Sequence, residues 1–136
     1  MDRFYEGATS VFVGAYDAFF DPAPPQIAGD VAFYECRARA TGGPVLELAC
    51  GIGRIASPLA ERGLDVTGVD ASDGMLAIAE RKSAALEGAA RRRLTLVALD
   101  MSELHRRFGC IFVAFRSFQL LLTVCNAERW RPYSVI

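Results

Sequence analysis

The chain has 136 residues, of which 52% are hydrophobic and 23% are charged, a composition typical of one globular domain. Its net charge of −1 argues against a general nucleic-acid binder. The most apolar run, residues 110–124, contains Arg116 and is shorter than the about 20 residues that span a bilayer. The first ten residues lack the apolar core of a signal peptide. We therefore expect a cytoplasmic protein without a nucleic-acid or membrane partner.

The four cysteines, Cys36, Cys50, Cys110 and Cys125, form no CxxC pair, and no histidine lies at metal-ligand spacing from them. We interpret them as reduced, mostly buried thiols and expect no metal site.

The N-terminal part, residues 1–40, is predicted to be a helical or lid segment. Residues 1–26 are rich in aromatic side chains and end in closely spaced prolines, which stop regular structure. A helix is predicted over 27–40, because its apolar residues recur at spacings of four, three and four on one face: Ile27, Val31, Tyr34 and Ala38.

Residues 41–125 are predicted to form the core of the domain, and 126–136 a short tail. Four strands are predicted, over 45–48, 65–70, 94–99 and 109–115. Between the first two strands, a helix runs from a glycine-rich loop to Arg62. A second helix, capped by Ser72 or Asp73, ends near Glu87, and a helical turn over 102–107 precedes the last strand. This alternation is the signature of an α/β fold with a Rossmann-like parallel sheet flanked by helices. The arginine cluster 91–93 is interpreted as a solvated helix end or loop.

Three carboxylates lie where predicted strands end: Glu47, Asp70 and Asp100. Ligands of open parallel sheets bind at the carboxyl ends of the strands. Between the first two carboxylates lies a glycine-rich loop, in which Gly51 and Gly53 allow a ligand to approach the backbone closely. The loop also fits the dinucleotide pattern GxGxxA, for which a tight strand-to-helix turn is the alternative explanation.

Charge distinguishes the ligands that such a loop could bind. A dinucleotide pyrophosphate would be repelled by Glu47, which argues against a nicotinamide-dependent oxidoreductase. S-adenosylmethionine carries an ammonium group and a sulfonium, which suit Glu47 through direct or water-mediated hydrogen bonds. Its single carboxylate could pair with Arg54 at the start of the helix. The loop therefore favours the methyl donor.

The two later carboxylates complete this predicted site. Asp70 could accept hydrogen bonds from both ribose hydroxyls, or it could simply be an acid at the N-terminus of a helix. Asp100, followed by the apolar Met101, suits the adenine amino group and ring face, or it could be a solvated turn aspartate. His105 is expected to face solvent, and no residue is assigned as a general base.

The segments VLELACGIGRIASPLAERGLDVTGVDASDGMLAIAERK, LTLVALDMSEL and FGCIFVAFRSFQLLLT, in this order and spacing, resemble class I S-adenosylmethionine-dependent methyltransferases. The resemblance covers about residues 15–124. The family's ExGxGxG motif here runs from Glu47 to Gly53, with Ala49 in place of the first glycine and Cys50 beside it. The resemblance implies that Asp70 binds the ribose, with Ala71 beside it.

The resemblance also implies further site residues. Met75 would lie against the adenine, Asp100 and Met101 at its edge, and Tyr16 over the donor's carboxylate end. Phe115, Arg116 and Ser117 would line the methyl-transfer site, unless they are ordinary packing at a strand end.

The family continues with three more strands, so the resemblance implies a chain that lacks the usual last three strands: a fragment, a naturally shortened homologue or a frame-shifted product. In the family's strand order three-two-one-four, the fourth strand would be an open apolar edge, which predicts a homodimer through 110–136. The expected function is methyl transfer from S-adenosylmethionine to a small molecule, with S-adenosylhomocysteine as product. The alternative is a non-catalytic, dimerising homologue that only binds the donor.

Overall fold

The computed structural model describes residues 28–99 and 107–114, together with Val13, Ala15, Ala18 and Phe19, which are helical. Several predictions lie outside these residues. They concern the site residues Tyr16, Asp100, Met101, Phe115, Arg116 and Ser117, as well as His105, Cys125, most of the helical turn 102–107 and the tail 126–136.

The described elements alternate as the sequence predicts. In chain order they are α1 (Asp30–Thr41), β1 (Val45–Leu48), α2 (Ala56–Glu61), β2 (Val66–Asp70), α3 (Asp73–Ala84), α4 (Gly88–Arg93), β3 (Leu94–Ala98) and β4 (Cys110–Val113). All strand pairs are parallel, and the strand order is β3-β2-β1-β4. The predicted α/β fold and its strand order are therefore confirmed.

Two helices differ from the prediction. The loop after β1 continues as turns through residue 55, so α2 is shorter than the predicted helix. The helix predicted to end near Glu87 ends at Ala84, and Glu87, with an extended backbone at ψ 152°, is the N-cap of the next helix. A separate helix, α4, then follows and carries Arg91, Arg92 and Arg93 in its last turn.

Helix α1 forms from local signals in its sequence. Asp30 lies in its first turn, where the negative charge of a carboxylate interacts favourably with the helix dipole and stabilises the helix. Gly42 ends the helix in a left-handed conformation, φ 69°, and donates its N–H to the Ala38 carbonyl at 2.9 Å. Val31, Tyr34 and Ala38 of the predicted apolar face all pack into the core.

The core lies on both faces of the sheet, which is why all four residues of β1 are buried. On one face, Val45 and Phe112 pack with residues of α1 and α2, and the Phe112 ring stacks on Tyr34 at 4.0 Å between centroids. On the other face, Leu46, Leu48, Val69 and Ile111 form a second cluster. Glu47 shares the face of Val45 and is therefore buried under α1 and α2.

The cysteines do not all behave as the sequence predicts. Cys50 and Cys110 are buried free thiols, whereas the free thiol of Cys36 is exposed on α1. The position of Cys36 on the outward side of the helix corrects the expectation of burial for this residue.

Within the described ranges, every helix is too short or too polar to serve as a membrane span. The same part of the chain contains no group of three or more His, Cys, Asp or Glu side chains arranged to hold a metal ion.

Candidate functional site

The candidate site lies at the carboxyl end of the parallel sheet. Because the strands are parallel and Leu48 is in register with Val69 and Val113, the segments that follow β1, β2 and β4 emerge at one edge. The chain moves from β1 to β2 on one side, and β4 lies on the other side of β1. This is the topological switch point at which open α/β sheets bind their ligands.

The loop after β1 takes its shape from three residues in the left-handed region: Ala49 at φ 53°, Gly51 at 58° and Gly53 at 77°. At Gly53 a side chain would also be crowded, since an added Cβ would lie 3.1 Å from Ser57 Oγ. Gly51 and Gly53 thus both have a positive φ, a backbone conformation that glycine adopts without steric cost.

Ala49 is the only described non-glycine residue with a positive φ. An alanine there carries a steric cost of about 1 kcal/mol, because its Cβ approaches the following carbonyl oxygen. The substitution that the sequence shows in the first glycine position of the motif therefore adds strain to the loop.

Replacing Ala49 with glycine is expected to raise the free energy of unfolding by about 1 kcal/mol, because the strain is relieved. Urea denaturation would measure this. The matched control is Ala77→Gly in the interior of α3, which should lower the free energy of unfolding by about 1 kcal/mol. An Ala49→Gly protein no more stable than the wild type would contradict the strain at this position.

Asp70, the last residue of β2, binds the loop with its carboxylate. Its Oδ2 accepts from the Gly51 N–H at 2.8 Å, and its Oδ1 accepts from the Ser72 N–H at 2.8 Å. The carboxylate keeps acceptor capacity for a further donor. Burial raises the pKa of Asp70, while the N–H groups of Ser72, Gly51 and Ala71 act in the opposite direction.

Asp70 does not itself cap the next helix. That helix, α3, is capped by Ser72, whose Oγ accepts from the Met75 N–H at 3.3 Å, and Asp73 supplies the acid of its first turn. Helix α3 therefore does not need Asp70 as its N-terminal acid.

Glu47 is the most deeply buried acid of the site, with 2% of its surface exposed. Its carboxylate accepts from the Ala56 N–H, but Oε2 has no hydrogen-bond partner among the described residues. Burial raises the pKa of Glu47 to about 8. The Arg54 guanidinium counteracts this rise, and the carboxylates of Asp70 and Asp30 add to it.

Arg54 pairs with an acid of the protein itself. Its guanidinium forms a two-pronged ion pair with Asp30 of α1, with Nη1–Oδ1 at 2.9 Å and Nη2–Oδ2 at 2.6 Å. The side chains of Arg54 and Asp30 are only 13% and 22% exposed. A partly buried, two-pronged pair is a strong contact, so a ligand carboxylate would have to compete with Asp30 for this arginine.

The remaining predicted residues lie around the loop. Met75 is 4% exposed and packs with Val13, Ile52 and Ile78, so its neighbours in the structure are protein side chains. Cys50 is buried, and burial raises the pKa of its thiol well above the ordinary value, with Glu47 and Asp70 adding to the rise. Ala71 is exposed directly after β2.

The sequence did not indicate a place in this region for two residues, Asp30 and Tyr34. Asp30 has only the signal of an acid in a helix's first turn, which does not reveal its partner 24 residues away. Tyr34 was predicted as core, and it also lies near the acids: burial raises the pKa of its hydroxyl, and Asp30 and Glu47 raise it further.

A parallel sheet with this strand order, a left-handed loop after β1 and an acid at the end of β2 define a Rossmann-like fold. Residues 45–131 match the family model described as "Methyltransferase domain". The chain therefore belongs to the class I S-adenosylmethionine-dependent methyltransferase family, as the resemblance implies.

Relatives and solved structures agree with this assignment. A protein of Geobacillus sp. (strain WCH70), whose name gives methyltransferase as a provisional activity, is 36% identical over 80 residues, 57% of this chain and 31% of the relative. CcbJ methyltransferase from Streptomyces caelestis is 33% identical with a TM-score of 0.66, over 80% of this chain and 46% of CcbJ. Glycopeptide N-methyltransferase MtfA, solved with S-adenosylhomocysteine, is 30% identical with a TM-score of 0.66, over 76% of this chain and 44% of MtfA. The chain thus spans less than half the length of each of these proteins.

Proposed function

We propose that this protein binds S-adenosylmethionine and transfers its methyl group to a small molecule, releasing S-adenosylhomocysteine. The observation that supports this most directly is the Asp70 carboxylate, which accepts from the Gly51 N–H of the glycine loop and lies at the end of β2, where it can also accept from a ribose hydroxyl. The names of the neighbours point the same way, since MtfA has been solved with this donor.

A second feature of the structure fits the same ligand. Glu47 keeps one buried carboxylate oxygen without a partner among the described residues, in the strand that leads into the glycine loop. An ammonium group is the complementary donor for such an oxygen. S-adenosylmethionine supplies the methyl group on its sulfonium, and the residues of this chain hold and orient the donor.

The acceptor class is proposed from the neighbours. MtfA is named a glycopeptide N-methyltransferase and KedS8, 25% identical with a TM-score of 0.64, a sugar N-methyltransferase. A small molecule bearing an amine or hydroxyl is the corresponding acceptor for this chain. Its nucleophile would be aligned with the methyl group, since alignment supplies much of the rate in such displacements.

Calorimetric titration of the wild-type protein tests the proposal. S-adenosylmethionine and S-adenosylhomocysteine should both bind, and NAD should not. Binding of NAD alone would overturn the proposal. Release of S-adenosylhomocysteine in the presence of a panel of amino sugars would separate an enzyme from a homologue that only binds the donor.

We also propose that the protein is a homodimer. Within the described residues β4 pairs only with β1, so the outer edge of β4 has no described strand beside it. An apolar strand edge favours pairing with a second copy. Light scattering after gel filtration should give twice the 14.8 kDa chain mass at micromolar concentration. A monomer at all concentrations would refute the dimer.

A further inference from the structure

Helix α1 contacts the glycine loop through a charged pair that lies beside the predicted ligand acid. Asp30 holds both terminal nitrogens of Arg54, at 2.9 Å and 2.6 Å. Arg54 in turn acts on Glu47 through its charge, because it opposes the rise in the pKa of that carboxyl. Three charged groups on three different segments therefore form one cluster: Asp30, Arg54 and Glu47.

Within this cluster the arginine has a choice of two carboxylates. It donates two hydrogen bonds to Asp30, and Glu47 Oε2 has no hydrogen-bond partner among the described residues. A buried carboxylate oxygen would normally take a hydrogen bond from a donor within reach. Both terminal nitrogens of Arg54 are bound to Asp30.

We propose, on the basis of the function proposed above, that Asp30 is a positioning residue of the donor site. It binds both terminal nitrogens of Arg54 and so leaves one buried Glu47 oxygen to accept from the donor's ammonium group. Without the Asp30 carboxylate, Arg54 would turn to Glu47 and compete with the ligand for that oxygen. Asp30 itself touches no ligand in this arrangement.

The position of α1 does not depend on this pair alone. Glu35 of α1 binds Arg62 at the end of α2, and Arg39 donates to the Arg62 carbonyl at 2.7 Å. Tyr34 stacks on the buried Phe112. Because these contacts fix α1 independently, removing the charge of Asp30 should leave the helix in place.

The proposal has a consequence for protons. At pH 6.5 the free protein holds a proton on Glu47, whose pKa burial raises to about 8. Binding of an ammonium group beside Glu47 favours its ionised form and should release about one proton. Four groups influence the pKa of Glu47: Asp30 of α1, Arg54 of the loop, Asp70 of β2 and the Ala56 N–H of α2. Glu47 in turn raises the pKa of Tyr34 on α1 and of Cys50 in the loop.

The test is titration calorimetry at pH 6.5 in buffers of different ionisation enthalpy, with S-adenosylmethionine and with 5′-methylthioadenosine, which lacks the amino-acid part. In Asp30→Asn, we expect about tenfold weaker binding of S-adenosylmethionine, because a competing guanidinium occupies the acceptor oxygen. Proton release should fall towards zero, because Glu47 paired with Arg54 is already ionised. Affinity for 5′-methylthioadenosine should not change.

Two further variants make the test specific. Glu35→Gln removes the two ion pairs of Glu35, with Arg39 and Arg62, and should match the wild type in affinity and proton release. In an Arg54→Met background, Asp30→Asn should cause no further change in proton release, because no guanidinium remains to turn.

The outcomes separate cleanly. Equal weakening of both ligands by Asp30→Asn would show that Asp30 merely tethers α1, and undiminished proton release would show that Arg54 stays away from Glu47 without it. Either result overturns the proposal while leaving the proposed function intact. If the wild type bound neither ligand, the proposed function itself would fail.

Discussion

Replacing Asp70 with alanine is expected to weaken binding of S-adenosylmethionine by about 100-fold, the effect of losing two hydrogen bonds to a charged acceptor. The structure adds a second cause. The same carboxylate accepts from Gly51 and Ser72, so its loss also releases the loop that surrounds the ligand. Calorimetric titration of S-adenosylmethionine and S-adenosylhomocysteine measures the change.

The matched control for Asp70 is Asp73→Ala, three residues further on. Asp73 is exposed in the first turn of α3, where a carboxylate stabilises the helix by up to about 1 kcal/mol. That variant should lose some thermal stability and keep its affinity for the donor. Asp70→Asn should be intermediate, because one acceptor oxygen remains. If Asp70→Ala lowered only the stability, Asp70 would be a structural acid and not a ligand residue.

Replacing Glu47 with glutamine should separate stability from binding. The pKa of Glu47 rises from an ordinary 4.5 to about 8 on folding, because the carboxyl is buried. Between these two values the folded protein holds a proton that the unfolded chain has released, so a rise in pH favours unfolding. The stability associated with this proton is complete below pH 4.5 and is lost as the pH approaches 8.

In Glu47→Gln the site cannot ionise, and this pH-dependent loss should disappear. By pH 8 the variant should exceed the wild type in free energy of unfolding by about 4 kcal/mol, and the two should be nearly equal at pH 5. Urea denaturation between pH 5 and 8 would measure both. A residual slope is expected in the variant, because the pKa of Asp70 is raised as well.

The same variant should bind the donor about tenfold more weakly, since an amide nitrogen in place of a carboxylate oxygen cannot accept from an ammonium group. Glu80→Gln, on the exposed side of α3, is the control and should leave both the pH dependence and the affinity unchanged. A wild-type stability that does not fall between pH 5 and 8 would contradict the burial of an ionisable Glu47.

Two residues at this edge of the sheet carry a local energetic cost. Ala49 holds a left-handed conformation, and Glu47 lacks a partner for one buried oxygen. Such local costs concentrate at ligand-binding sites, where the ligand supplies the missing partner. Because donor binding releases the Glu47 proton, the donor should bind this protein more tightly as the pH rises towards the pKa of Glu47.

The sequence by itself determined the elements and the acids at the strand ends. Burial of β1 on both faces follows from its apolar run, and the parallel sheet follows from the alternation of strands and helices. Gly51 and Gly53 have the positive φ that a close loop requires. These features are local in the chain, so short-range patterns are sufficient to predict them.

Only the tertiary structure decided which partner each charge has. The pair of Asp30 and Arg54 joins residues 24 positions apart, and no spacing in the sequence indicates it. Glu47 looks like an accessible strand-end acid in the sequence, but α1 and α2 cover it and remove it from water. Burial and long-range pairing depend on how helices pack on the sheet, and that packing sets both the charge of Glu47 and the role of Arg54.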